Sequence, residues 1–176
     1  IINNAAKMRQ MSGGQFSMPM VFRGPTASAG QLAATHSQAF ENWYANTPGL
    51  KVVVPSNPYD AKGLLKAAIR DNDPVIFMES EQMYGGKGEV PDGEYTIPLG
   101  VADIKREGTD VTIVSFGKII KEAYAAADEL AKENISCEII DLRTVRPMDY
   151  DAIIKSVQKT NRLIVLEEAW PFASVA

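Results

Sequence analysis

Short apolar runs rich in Val and Ile alternate with helically spaced stretches of about ten to fifteen residues, and this alternation constrains the chain more than any other feature. Runs at residues 18–23, 50–54, 74–78, 111–116, 137–142 and 162–166 read as buried strands. Helical spacing fills residues 1–11, 31–43, 61–69, 119–132 and 150–158. Ser12-Gly13-Gly14 ends the first of these in the manner of a glycine cap, and Asn57-Pro58 with Asp60 starts the third. In the second, Leu32, Ala39, Phe40 and Trp43 form the inward set. Strand, helix and strand in succession predict right-handed βαβ units and an α/β fold of mainly parallel sheets.

The alternation lapses between residues 79 and 93, where Gly, Pro and charge take over. It divides the chain into two α/β units, residues 1–95 and 96–176. At 45% hydrophobic and 23% charged residues, the 176-residue chain has the makings of a packed core. Its net charge of −4 and lack of a basic block argue against nucleic acid as a partner. No apolar run approaches the ~18 residues of a bilayer span. Cys137, the only cysteine, lies in an apolar run and reads as a small buried thiol, in keeping with a reducing compartment. The opening Ile-Ile-Asn-Asn reads as helix already under way, with no initiator Met and no targeting segment, which predicts part of a longer chain.

In open α/β sheets ligands sit beyond the carboxyl ends of strands. The loop Arg23 to Gly30 is of that kind and leads toward His36, the single histidine. From residue type alone His36 is either a surface imidazole or a proton-transfer group. Ser37 cannot pair with it as a nucleophile, because adjacent helical side chains diverge. Asp71-Asn72-Asp73-Pro74 lacks calcium-loop spacing, yet the end of the helix before it carries unpaired carbonyls that suit a cation, alongside the simpler reading of a solvated helix end. Gly85-Gly86-Lys87-Gly88 lacks the phosphate-loop frame and reads as surface loop. Asp141, Arg143, Arg146 and Asp149 either bind a ligand or fix a loop. Glu167-Glu168-Ala169-Trp170-Pro171-Phe172 is either an interface or a packed turn.

Taken in order, Phe22-Arg23-Gly24-Pro25, Ala34-Thr35-His36-Ser37-Gln38, Pro48-Gly49-Leu50-Lys51-Val52-Val53, Asp60-Ala61-Lys62-Gly63-Leu64, Ala68-Ile69-Arg70-Asp71-Asn72, Asp141-Leu142-Arg143-Thr144-Val145-Arg146-Pro147 and Glu168-Ala169-Trp170-Pro171 resemble the β subunits of the thiamine-diphosphate-dependent 2-oxoacid dehydrogenases over nearly the whole chain. Glu79-Ser80-Glu81-Gln82-Met83-Tyr84-Gly85 looks most like the pyruvate dehydrogenase branch, with branched-chain 2-oxoacid and acetoin enzymes as neighbours.

The resemblance implies the later part of a transketolase-like pyrimidine-binding domain, then an incomplete transketolase C-terminal-type domain. It implies oxidative decarboxylation of pyruvate, with acyl transfer to lipoyl groups of a second, acyltransferase component. Thiamine diphosphate would be shared with an α subunit that holds Mg2+, in an assembly of two α and two β subunits that alone is active. The family's active-site histidine falls on His36, and its other cofactor-binding residues precede Ile1. A potassium ion in relatives maps to Met20, Ala68, Ile69, Asp71 and Asp73, mostly through main-chain oxygens. Asp73 stands where Asn is common, the turn Gly24 to Ser28 is one residue short, and Ala169 and Ser174 replace frequent glycines. A bacterial cytoplasm is the default compartment, with an organelle matrix as the other. A non-catalytic subunit-interaction module is the reading from outside the enzyme class.

Overall fold

A computed structural model describes residues 1–176. Strands β1 (Val21–Pro25), β2 (Lys51–Val53) and β3 (Val75–Glu79) lie parallel in the order β1-β3-β2. A second sheet sets β5 (Val111–Ser115), β6 (Cys137–Asp141) and β8 (Leu163–Leu166) parallel, with β4 (Asp103–Arg106) antiparallel on the edge beside β6. The fold is thus α/β with parallel-dominant sheets, as the alternation predicts. Two strands were not legible: β4, and β7 (Thr144–Arg146), which leaves the second half of the chain to close the first sheet antiparallel to β2. Both are short and carry Asp, Lys, Arg or Thr, so neither shows an apolar run.

The strands alternate between two buried faces. Val52, Ile76, Met78, Val114, Ile140 and Leu142 meet in one core between the sheets. Val53, Val75 and Phe77 turn the other way, onto Leu64 and Ala68 of helix α3 (Pro58–Ile69). Ile113 and Ile139 turn onto Ala123 and Ala127 of helix α4 (Ile120–Lys132), where Cys137 is buried as expected and burial pushes its thiol up. Burial on both faces explains why these strands read as unbroken apolar runs. α3 begins as the sequence predicts: Asn57 Oδ1 accepts from Asp60 N–H at 2.8 Å, and Asn57 Nδ2 reaches back to the Asp60 carboxylate. Helix α5 (Tyr150–Thr160) is capped likewise by Asp149.

Two predicted helices shrink. Residues 1–11 form turns with one helical stretch, α1 (Met8–Met11), because a run this short makes few internal hydrogen bonds. Of residues 31–43 only Glu41 onward is α-helical, in α2 (Glu41–Ala45), and His36 ends a 3-10 turn, Ala34–His36, within an irregular loop. Left-handed backbone at Ala27, Gly30, Gln31 and Ala33 rules out a helix there.

Gly49 has φ +95°, and a Cβ on it would lie 1.9 Å from the Ala6 carbonyl oxygen. Gly49→Ala therefore combines left-handed strain with a backbone clash, and should cost more than about 2 kcal/mol. Urea unfolding of the two proteins measures this directly.

Candidate active site

The loop carrying His36 is fastened at both ends. Thr26 N–H donates to the Glu79 carbonyl at the end of β3 (2.7 Å), and Ala27 N–H closes the loop on the Gln38 carbonyl (2.8 Å). Thr26 Oγ1 also donates to Glu41 Oε1 at 3.0 Å. Between these ties Gly30 and three non-glycine residues hold positive φ, a conformation that costs energy at the non-glycine positions and persists there only where surroundings impose it. His36 itself is exposed. It lines a cleft of about 360 Å3 with Pro25, Ala27, Leu32, Phe40 and Glu81, at the carboxyl end of β1. An imidazole held on a pinned loop yet free in solvent can meet a group brought from outside this chain.

Beneath the loop, Glu41 is buried, and desolvation pushes its carboxyl up while the Thr26 hydroxyl and backbone bonding pull the other way. Its Oε2 and the buried Ser80 Oγ have no partner within the protein. Both residues border a cavity of about 20 Å3 that also touches Lys118 and Glu168. That is room for one water molecule, with polar neighbours to bind it.

Of the expected cation residues, Ala68 and Ile69 end α3, Asp71 and Asp73 follow it, and Met20 precedes β1. Met20 O accepts from Val75 N–H (2.9 Å) and Ala68 O from Asp71 N–H (3.3 Å), whereas the Ile69, Asp71 and Asp73 carbonyls take no backbone N–H. The Asp71 carboxylate is engaged by Lys51 Nζ at 2.6 Å and 2.7 Å, and Asp73 by Arg9 at 2.6 Å and Lys51 at 3.3 Å. Burial pushes the Asp73 carboxyl up, but those two cations outweigh it and hold it below its usual range. No three His, Cys, Asp or Glu side chains converge as metal ligands. The donor set left is main-chain oxygen, which suits a hard, weakly held cation.

Asp141 and Arg143 belong to a charge network joining the two halves. Asp60, fully buried at the start of α3, accepts from Arg143 Nη2 (2.7 Å) and Lys105 Nζ (3.0 Å). Both cations also reach Asp103, at 2.8 Å and 2.6 Å. Asp141 accepts from Ser56 and from Arg143 N–H. Arg146 donates to the Ala45 carbonyl and Asp149 accepts from Ala102 N–H, so all four residues act as fasteners. Desolvation raises the Asp141 carboxyl to about 6, against hydrogen bonds from Ser56 and Arg143 and the Lys105 charge, with Asp60 adding to the rise.

A carboxyl raised this way binds its proton more tightly when folded, so its penalty at neutral pH is relieved as pH falls through about 6. Between pH 7.5 and 5.5 the protein should gain about 0.8 kcal/mol of stability from this group. Asp141→Asn should lose that part of the gain in paired urea titrations. Glu41 is shifted in the same sense and keeps its own share. Asp73, Glu94 and Glu138 are shifted down and act only below their ordinary values.

Trp170 and Phe172 are 78% and 83% exposed, and with Trp43 and Tyr150 they line an aromatic groove. The packed-turn reading of this segment gives way to an uncovered apolar surface. The glycine stretch at residues 85–88 is exposed loop, as expected. Lys118 escaped the sequence reading. It follows β5 at the carboxyl end, and that position was the available signal.

Residues 2–87 match the model of the transketolase pyrimidine-binding domain, and residues 100–176 that of the transketolase C-terminal domain. The fold agrees with a solved split-gene transketolase, an inactive β4 tetramer, at a TM-score of 0.77 and 22% identity over 90% of this chain and 51% of that one. The chain belongs to the transketolase-like family, as a pyrimidine-binding domain followed by a C-terminal domain. Within that family it is similar to the β subunits of the pyruvate dehydrogenase E1 component. The mitochondrial subunit beta-2 of Oryza sativa subsp. japonica is 53% identical over 97% of this chain and 46% of its own length. The subunit beta of Rickettsia felis is 53% identical over 99% of this chain and 54% of its own length. Also similar, at 52% identity over 100% of this chain and 52% of its own length, is the acetoin:2,6-dichlorophenolindophenol oxidoreductase subunit beta of Bacillus subtilis. The chain thus spans about half the length of the curated relatives it matches. No helix is long and apolar enough to cross a membrane.

Proposed function

We propose that this chain is part of the β subunit of a pyruvate dehydrogenase-type decarboxylase, acting with an α subunit on pyruvate and passing the acyl group to lipoyl groups of a second component. The observation that carries this reading is His36: an exposed imidazole on a strained, doubly fastened loop, in a chain 53% identical to pyruvate dehydrogenase β subunits. Thiamine diphosphate, when bound between the subunits with the α subunit's Mg2+, supplies the carbon centre on which decarboxylation runs. His36 donates a ring N–H to the oxygen where negative charge develops, and moves a proton there during acyl transfer. The strained loop fixes the backbone from which the ring projects. Potassium would sit at the end of α3 on main-chain oxygens of Met20, Ala68, Ile69, Asp71 and Asp73, and steady that helix terminus. The two domains would part near residue 95, and two such subunits would join two α subunits. A bacterial cytoplasm is the compartment we favour, with the mitochondrion of the rice relative as the other.

The test is substrate turnover by the assembled enzyme. A β subunit completed to the relatives' length is combined with its α subunit and thiamine diphosphate, then offered pyruvate, branched-chain 2-oxoacids and acetoin. Preference for pyruvate is expected. Preference for acetoin would move the assignment to the second reading, which the Bacillus relative favours. An assembly that turns over none of them would leave the chain a subunit-interaction module.

A further inference from the structure

Lys118 sits on the 3-10 turn Gly117–Ile119 that follows β5, and is 7% exposed. Its ammonium crosses from the second domain into the first. There it donates to the Ser28 carbonyl (2.8 Å), Ser28 Oγ (2.6 Å) and Gln82 Oε1 (3.2 Å), and it pairs with Glu168 Oε1 at 3.0 Å. An ammonium has three protons, so this one has none to spare. Ser28 Oγ in turn lies 3.3 Å from Glu168 Oε1, which ties the loop to the end of β8.

From these contacts we infer that Lys118 is a positioning residue for His36, holding the histidine's loop in its working shape from across the domain junction. The inference rests on the reading of His36 as the reacting histidine. Glu168 belongs to the same domain as Lys118, so an ion pair alone would satisfy the charge without reaching Ser28. Instead the lysine takes a main-chain carbonyl, which fixes backbone. That carbonyl lies just before Gly30, Gln31 and Ala33, the three points of positive φ leading to His36. Beyond Ser28, the loop's own backbone bonds are His36 N–H to Ala33 O (3.2 Å), Ser37 N–H to Ala34 O (3.3 Å) and the Ala27–Gln38 closure. Two weak turn bonds and one closure do not offset strain of roughly 1–3 kcal/mol at each non-glycine position, so the loop needs an outside anchor.

The experiment compares Lys118→Met, Lys118→Arg and Ser28→Ala in the completed β subunit assembled with its α subunit, by steady-state kinetics and by hydrogen exchange of peptides from residues 27–38. Lys118→Met is expected to lower kcat by roughly 10–100-fold, as a misplaced catalytic group does, with KM for the 2-oxoacid within about threefold. Exchange in residues 27–38 should rise at least about tenfold while the rest of the C-terminal domain keeps its protection. Lys118→Arg should restore much of kcat. Ser28→Ala, which removes the hydroxyl contacts but leaves the Glu168 pair and the bond to the main-chain carbonyl in place, should give a smaller fall in kcat and a smaller rise in exchange over residues 27–38, and serves if the Met variant fails to assemble. Unchanged kcat with a loosened loop, or loss of protection spread over the whole C-terminal domain, would overturn the inference. His36→Ala is run alongside: if it retains turnover, the reading of His36 fails, while the exchange data still report whether Lys118 holds the loop.

Discussion

On the proposed reading of His36, its replacement with alanine should cut turnover of the assembled enzyme by roughly 10²–10⁴-fold, the usual contribution of a positioned general acid or base. The side chain is exposed and makes no hydrogen bond in this chain, so its removal should leave stability within about 0.5 kcal/mol. That separation makes the variant informative: thermal unfolding and subunit assembly should match the parent while acyl transfer to a lipoyl acceptor falls away. His36→Gln keeps an N–H donor but cannot accept and return a proton at neutral pH. It should recover part of the loss if charge stabilisation dominates, and none if proton movement does. Rapid-quench measurement of the decarboxylation and acyl-transfer steps tells the two apart.

The second large effect is on folding. Asp60→Ala removes the carboxylate that Arg143 and Lys105 share, 2.7 Å and 3.0 Å away, in a site where Asp60 is fully buried. Taking away one partner leaves charge confined in the interior, at a cost of about 3–5 kcal/mol. Asp103 still reaches both cations and is more exposed, so it recovers only a fraction. The same substitution strips α3 of its bond from Asn57 Nδ2, adding to the loss. Asp60 comes from the first domain and both cations from the second, so the variant should loosen the junction before either sheet. Urea unfolding should show a lower midpoint, and hydrogen exchange should rise first around residues 103–106 and 141–146.

The elements that were legible in the sequence are those whose signal is local. β3 and β5 are buried on both faces, so their residues read as apolar runs without knowledge of their neighbours. Asn57-Pro58 marks the start of α3 because the cap is made three residues away. The region around His36 misled for the opposite reason. Ala, Leu and Phe at residues 32–40 look helical, yet Glu79, Gln38 and Lys118 fix that backbone by bonds that span up to 90 residues. Propensity over a few residues cannot register such partners.

The sequence by itself determined the α/β class, the division into two units, the cap of α3 and the interest of His36, since each depends on periodicity, spacing or residue type along the chain. Only the tertiary structure decided that β7 closes the first sheet and that Asp60, Lys105, Asp141 and Arg143 form one buried network. It also decided that Lys118 grips the loop of His36. These features rest on hydrogen bonds and charge pairs between residues far apart in the chain, whose strength comes from the low-dielectric junction that folding creates.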